Sequence, residues 1–297
     1  MPEIAFIVGM GRSGTTLLSS MLNSNPSVVS TPENEFIVFA WQSFKNKDFG
    51  CPAVCDEFVS LFNFNFNKVI SIWKPGEKLR SDMQQHSIQT FADACKLVYL
   101  NYPFVNKNPA GIKCIVDKNP AYSLYLDKLN VTFPDARYIL LVRDFRDNVL
   151  SRKKYADSET SIYELAASWN FYYDKIFDSI HALKLNYQLL KYEDLVKDPE
   201  ATLKKLCSFL SVDYTPGMLN YQDLSKKIKE HVKENKEEQV YDKINKMHAN
   251  LDNKVNISRV NAYENELSAE EIAILDYVCS GYGKQFGYLE KGQETKM

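Results

Sequence analysis

No apolar run in this sequence is long enough to cross a bilayer. The N-terminus has no basic stretch ahead of its first apolar segment and no signal-like cleavage site, so residues 4–8 read as a strand and the chain as cytoplasmic. An excess of charge of one sign is missing too. Lys and Arg number 36 against 38 Asp and Glu, and this near balance offers no basic face for nucleic acid. Histidine is scarce, at four residues, and the six cysteines are scattered apart from Cys51 and Cys55. That pair has no second pair or nearby histidines to complete a metal site. Free thiols are the expectation, although an even count is also compatible with disulfides. Neither an internal repeat nor a low-complexity linker divides the chain, so it reads as one domain over 1–297.

What is present is an alternation of apolar runs and helical patterns. Residues 4–8, 28–30, 111–116, 137–142 and 187–190 read as strands of a parallel sheet, and the patterns between them as βαβ crossovers. The expected fold class is α/β, a P-loop-like parallel sheet flanked by helices with a mainly helical insertion. Residues 41–110 read as that insertion, with aromatics in alternation at Phe62, Phe64 and Phe66. They read as a half-buried strand or packed surface segment, or as a wall of an acceptor pocket. Residues 221–256 are dense in Lys, Glu, Asp and Asn and read as a solvated helix or mobile segment.

The first strand runs into Gly9-Met10-Gly11-Arg12-Ser13-Gly14-Thr15-Thr16, and a helix comes next. Glycines let backbone N–H groups approach an anion, and the helix N-terminus adds its free donors. A Walker A loop would carry Lys after its last glycine; Thr15 stands there instead, which argues against ordinary ATP chemistry. A second candidate anion site lies after the fourth strand. Arg143 lies where a parallel strand emerges at its carboxyl end, and Ser151 is eight residues on. A guanidinium with a hydroxyl suits a phosphate. Two separate sites point to a ligand with two separated anionic groups.

On these residues the chain resembles the sulfotransferases that use 3′-phosphoadenosine 5′-phosphosulfate (PAPS). Residues 11–18 resemble that family's 5′-phosphosulfate loop and residues 143–151 its 3′-phosphate segment. Residues 191–200, 206–210 and 281–288 resemble further family stretches. The tyrosylprotein branch and its bacterial relatives match best. The resemblance implies Gly11, Arg12, Ser13, Gly14, Thr15, Thr16, Arg143, Ser151 and Tyr192 as cofactor-binding residues. It maps a general base to Glu33 and a cofactor-side lysine to Lys118. Glu35 is the alternative base, and His86 a weaker one by analogy with the histidine of the small-molecule branch. Two departures stand out: Tyr155 replaces an arginine of that branch, and Pro32-Glu33 replaces its paired acids.

The resemblance implies sulfuryl transfer from PAPS, with PAP as product, to an acceptor hydroxyl or amine. The acceptor would be a small molecule, carbohydrate or peptide. No metal would be required, because a sulfuryl group carries less charge than a γ-phosphoryl group. Residues 41–110 and 221–262 would lie on the acceptor side. The competing readings are a P-loop kinase of a small metabolite and a non-catalytic nucleotide-binding protein on the same fold.

Overall fold

The computed structural model of the chain describes residues 1–31, 33–62, 76–102, 107–222 and 255–290. Five strands form the sheet: β1 (Glu3–Val8), β2 (Val28–Ser30), β3 (Cys114–Lys118), β4 (Arg137–Val142) and β5 (Asn186–Lys191). Their spatial order is β2-β3-β1-β4-β5, and every pairing is parallel. The first helices are α1 (Thr15–Asn23), α2 (Phe36–Phe44), α3 (Pro52–Leu61), α4 (Gly76–Gln85) and α5 (Phe91–Leu100). They are followed by α6 (Leu126–Thr132), α7 (Phe145–Lys153), α8 (Ile162–Leu183), α9 (Tyr192–Lys197) and α10 (Pro199–Phe209). Helices Ala269–Val278 and Ser280–Gln285 come last among the described residues.

The central strands are apolar on both faces because helices cover both. Ala5 and Ile7 of β1 pack with Leu18, Met21 and Leu22 of α1 and Leu203 and Leu206 of α10. Ile4, Phe6 and Val8 face the other layer, with Val98 of α5, Val149 of α7 and Trp169 of α8. Among the described residues four helices, α2–α5, lie between β2 and β3, so the insertion is mainly helical there and starts at Phe36, ahead of position 41. Of the alternating aromatics only Phe62 is described. It is buried and meets Phe36 and Phe58 edge-on or tilted. Phe64, Phe66 and most of 221–262 lie outside the described residues. All six cysteines are free, and only Cys51 is exposed.

The third strand is displaced from its expected span. Pro109–Gly111 forms a 3-10 turn, in which the Asn108 side chain accepts the Ala110 N–H, and the strand runs from Cys114 to Lys118. Apolar patterning ends at Val116, but the ladder continues because backbone pairing is indifferent to side-chain polarity: Phe6 pairs with Asp117 and Ile7 with Lys118. The extension carries two charged residues to the carboxyl edge of the sheet.

Candidate active site

The turn after β1 needs its glycines. Gly9 has φ 136°, and a Cβ there would sit 2.2 Å from the Leu141 carbonyl oxygen on β4. The Gly9 N–H donates to Ser123 Oγ at 2.9 Å, which ties the turn to the 3-10 segment after β3. Gly14 has φ 93°, and a Cβ there would meet the Tyr192 ring at 2.4 Å. Arg12 adopts φ 69° between them. Helix α1 then begins at Thr15 with no side chain capping its first turn. Its leading N–H groups point out of the helix end without intrahelical partners, the arrangement that receives an anion.

Arg143 emerges from β4 beside this loop, with its side chain buried. Its Nη1 donates to the Arg12 carbonyl at 3.1 Å and its Nη2 to the Arg259 carbonyl at 2.7 Å. The guanidinium lies over the Tyr192 ring, 4.7 Å from the centroid. Its Nε is buried with no hydrogen-bond partner among the described residues, an orphan donor beside the loop. Arg143 Nη2 makes a long ion pair with Asp147 at 4.0 Å, and Asp144 is taken by the fork of Arg146 at 2.7 and 2.9 Å. Ser151 on α7 accepts from Arg12 Nε at 3.2 Å, and the Arg12 guanidinium covers the exposed Tyr155 ring at 4.7 Å. Arg12 therefore bridges the loop and α7. Arg152 donates instead to the Leu165 carbonyl of α8 at 2.9 Å and to Ser168.

Lys118 and Glu33 form the second part. Lys118 Nζ donates to Glu33 Oε1 at 2.5 Å and to Thr16 Oγ1 at 3.3 Å. The lysine side chain is 3% exposed and the glutamate 33%, so the carboxylate faces an opening while its cation is sheltered. Glu33 is held in register by the segment after β3. Asn119 Nδ2 donates to the Asn34 carbonyl at 2.7 Å, and the Ile37 N–H donates to Tyr122 Oη at 3.2 Å. Of the two candidate carboxylates, Glu33 is the one that meets Lys118; Glu35 sits at the N-cap of α2. His86 is exposed just after α4.

Several residues here were not anticipated from the sequence. Asn148 Nδ2 donates to the Gly11 carbonyl at 2.9 Å and to Ser13 Oγ at 3.1 Å, and so splints the loop to α7. Asp147, fully buried, accepts the N–H groups of Asn261 at 2.8 Å and Tyr263 at 3.0 Å. That draws the Ile257–Arg259 turn against Arg143, and Arg259 joins the set through its carbonyl. Asp147 lies in the first turn of α7, four residues after Arg143, which directly follows β4. Nothing local in the sequence marks its partners more than a hundred residues away.

The profile of the sulfotransferase family matches residues 3–216. The chain belongs to that family. Protein-tyrosine sulfotransferase 1 of Danio rerio is 28% identical over 232 residues, covering 75% of this chain and 57% of the relative. Nodulation protein NoeE of Sinorhizobium fredii is 31% identical over 144 residues, covering 48% of this chain and 29% of the relative. The chain thus spans less than two thirds of the length of these curated relatives. The sulfotransferase domain of the Synechococcus PCC 7002 olefin synthase shares the fold, with a TM-score of 0.63 at 20% identity, over 98% of this chain and 96% of that one. The sulfotransferase match covers β1 to β5 and the residues of the candidate site described above except those from Arg259 on. Residues 281–288, expected to belong to the family pattern, lie beyond it. There Tyr288 Oη donates to Glu193 at 2.9 Å, and Glu193 accepts the Asp144 N–H at 3.0 Å. Among the described residues no helix is long and apolar enough to cross a membrane.

Proposed function

We propose that the chain moves a sulfuryl group from PAPS to an acceptor hydroxyl or amine by in-line transfer, with Glu33 as general base. One observation carries the reading. Lys118 Nζ reaches both Thr16 of the phosphate loop and the Glu33 carboxylate, so a sheltered cation stands between an anion site and a half-open base. The orphan donors fit such a donor nucleotide: uncapped N–H groups at the start of α1 for a 5′-phosphate, and the unpartnered Nε of Arg143 for a 3′-phosphate. PAPS, when bound, supplies a sulfuryl group on a phosphate leaving group.

In this reading the loop N–H groups, Arg12, Thr15 and Thr16 hold the 5′-phosphate, and Lys118 neutralises charge developing on its bridging oxygen. Arg143 and Ser151 hold the 3′-phosphate, with Tyr192 beside the nucleotide. Glu33 orients the acceptor and takes its proton. Residues 41–110 and 221–262 are the proposed acceptor side of what we read as one domain. The protein-tyrosine sulfotransferases among the relatives make a peptide tyrosine the first acceptor to assay, ahead of a carbohydrate or small alcohol. The test is a thermal-shift series with PAP, PAPS and ATP, each with and without Mg²⁺. PAP should raise the melting temperature without Mg²⁺, increasingly so as its concentration exceeds Kd. A strong shift with ATP and Mg²⁺ but none with PAP would turn the reading to a kinase.

A further inference from the structure

Asp117 and Lys118 are successive residues of β3 and point to opposite faces of the sheet. Lys118 faces α1 and the loop, while Asp117 faces the aromatic layer under α2 and α5 and is 0% exposed. Tyr99 of α5 donates its hydroxyl to Asp117 Oδ2; burial pushes this phenol well above its usual value, so it stays a donor. Asp117 Oδ1 accepts no hydrogen bond among the described residues. The titratable groups around it are Tyr99 and Cys95 of α5, Tyr122 of the turn after β3, Lys118 on its own strand, and Glu33 from the segment after β2. Lys118 is the one cation among these described groups.

A half-satisfied buried carboxylate is costly. An asparagine would accept the Tyr99 hydroxyl at less expense, so the hydrogen bond to Tyr99 does not by itself explain an acid here. We propose that Asp117 is a positioning acid: from behind β3 it sets how Lys118 divides between Glu33 and an anion in the phosphate loop. The identity of that anion as the donor nucleotide rests on the proposed sulfuryl transfer from PAPS.

The electrostatics run in one direction. Burial and the Glu33 charge raise the Asp117 carboxyl to about 7, against the Tyr99 hydrogen bond, the Lys118 charge and the Lys118 backbone N–H, which lower it. Without ligand, Lys118 is pinned to Glu33 at 2.5 Å, and the Glu33 oxygen that receives the ammonium is not open to an acceptor. An anion at Thr16 draws the ammonium away from Glu33 and frees the carboxylate for the acceptor. The same anion adds negative charge near Asp117 and offsets the field of Lys118, so Asp117 takes up a proton as the loop fills. Neutral Asp117 then leaves the ammonium to the anion alone. No bond to Asp117 forms or breaks beyond this proton, which comes from solvent.

Two measurements test the proposal. In the ligand-free protein, carboxyl NMR with ¹³C-labelled aspartate follows the Asp117 signal, assigned by its loss in Asp117→Asn. Its titration midpoint should move down in Glu33→Gln and up in Lys118→Met. A midpoint that neither substitution moves would overturn the proposal whatever the protein binds. With PAP, calorimetry near pH 7 in two buffers of different ionisation enthalpy should show net proton uptake by the wild type. Asp117→Asn should still bind PAP but lose that uptake; uptake equal to wild type would also overturn the proposal. Should Asp117→Asn fail to fold, Tyr99→Phe replaces it and assigns the signal as the aspartate whose midpoint rises; the uptake at pH 7 should change with it, and no aspartate midpoint rising sinks the idea. Absence of PAP binding to the wild type would count against the functional reading and the Asp117 proposal together if the coupling to Glu33 and Lys118 is also absent. With the coupling present, it would remove only the nucleotide as the anion.

Discussion

Arg143 directs two of its donors at backbone carbonyls and holds Nε in reserve. Removing it should therefore cost a ligand that carries a 3′-phosphate more than one that does not. A hydrogen bond to a charged group contributes about 1.5–3 kcal/mol, so Arg143→Ala should weaken PAP by about 10- to 150-fold. Adenosine 5′-phosphosulfate, which lacks the 3′-phosphate, should weaken far less, as titration calorimetry would show; equal losses would remove Arg143 from that role. For the base, Glu33→Gln keeps size and PAP affinity but cannot take a proton, and turnover should fall by roughly 10²–10⁴-fold. Glu35→Gln is the matched control. Loss there with full activity in Glu33→Gln would move the role two residues on. Glu33 and Lys118 were singled out through the family resemblance, and the structure brings the two side chains together at 2.5 Å. Asp147 and Asn148 were not, because their partners are backbone groups of Asn261, Tyr263 and Gly11, which no side-chain pattern announces.

Among the elements, α7 does most to assemble the site. Its first turns carry Asp147 and Asn148, and they hold two distant stretches of chain, the phosphate loop and residues 259–263. Asparagine at 147 would offer one acceptor where two N–H groups converge, and would set an NH₂ against a donor. We expect Asp147→Asn to loosen residues 257–263 and weaken PAP while the sheet stays folded. Hydrogen exchange by mass spectrometry would show faster exchange confined to that segment; a global rise would mean that Asp147 serves the core instead. Elements with strong apolar patterning were legible in sequence, β1 and β4 almost to the residue. The start of β3 was misplaced because Gly111 and Ile112 extend the apolar run, while Gly111 ends a 3-10 turn capped by Asn108 and the strand begins only at Cys114. Its end was missed because Asp117 and Lys118 are charged, while the backbone ladder runs on through them.

Across the whole molecule, Asp117 links the site to stability. Its carboxyl lies at about 7 in the folded protein, above the roughly 3.9 of an unfolded chain. The folded state therefore keeps a proton that the unfolded state releases between those values, and stability falls as pH rises across them. The contribution is complete below about 3.9 and is lost as pH passes through about 7. Asp117→Asn removes it, so its melting temperature relative to wild type should climb from acid to neutral pH and then level off. A difference that is flat across this window would mean that Asp117 is ionised throughout. The parallel α/β class was legible because its central strands, β1, β3 and β4, are buried on both faces and read as largely continuous apolar runs.

The strand order has a consequence for how the chain is made. β1 lies at the centre and pairs with β3 and β4, never with β2, the next strand in sequence. During synthesis its five buried residues, Ile4 to Val8, wait without a partner strand until Cys114 emerges. At roughly 5–20 residues per second that wait lasts on the order of ten seconds. A sticky segment left unsatisfied for so long is a natural client for a chaperone at the ribosome.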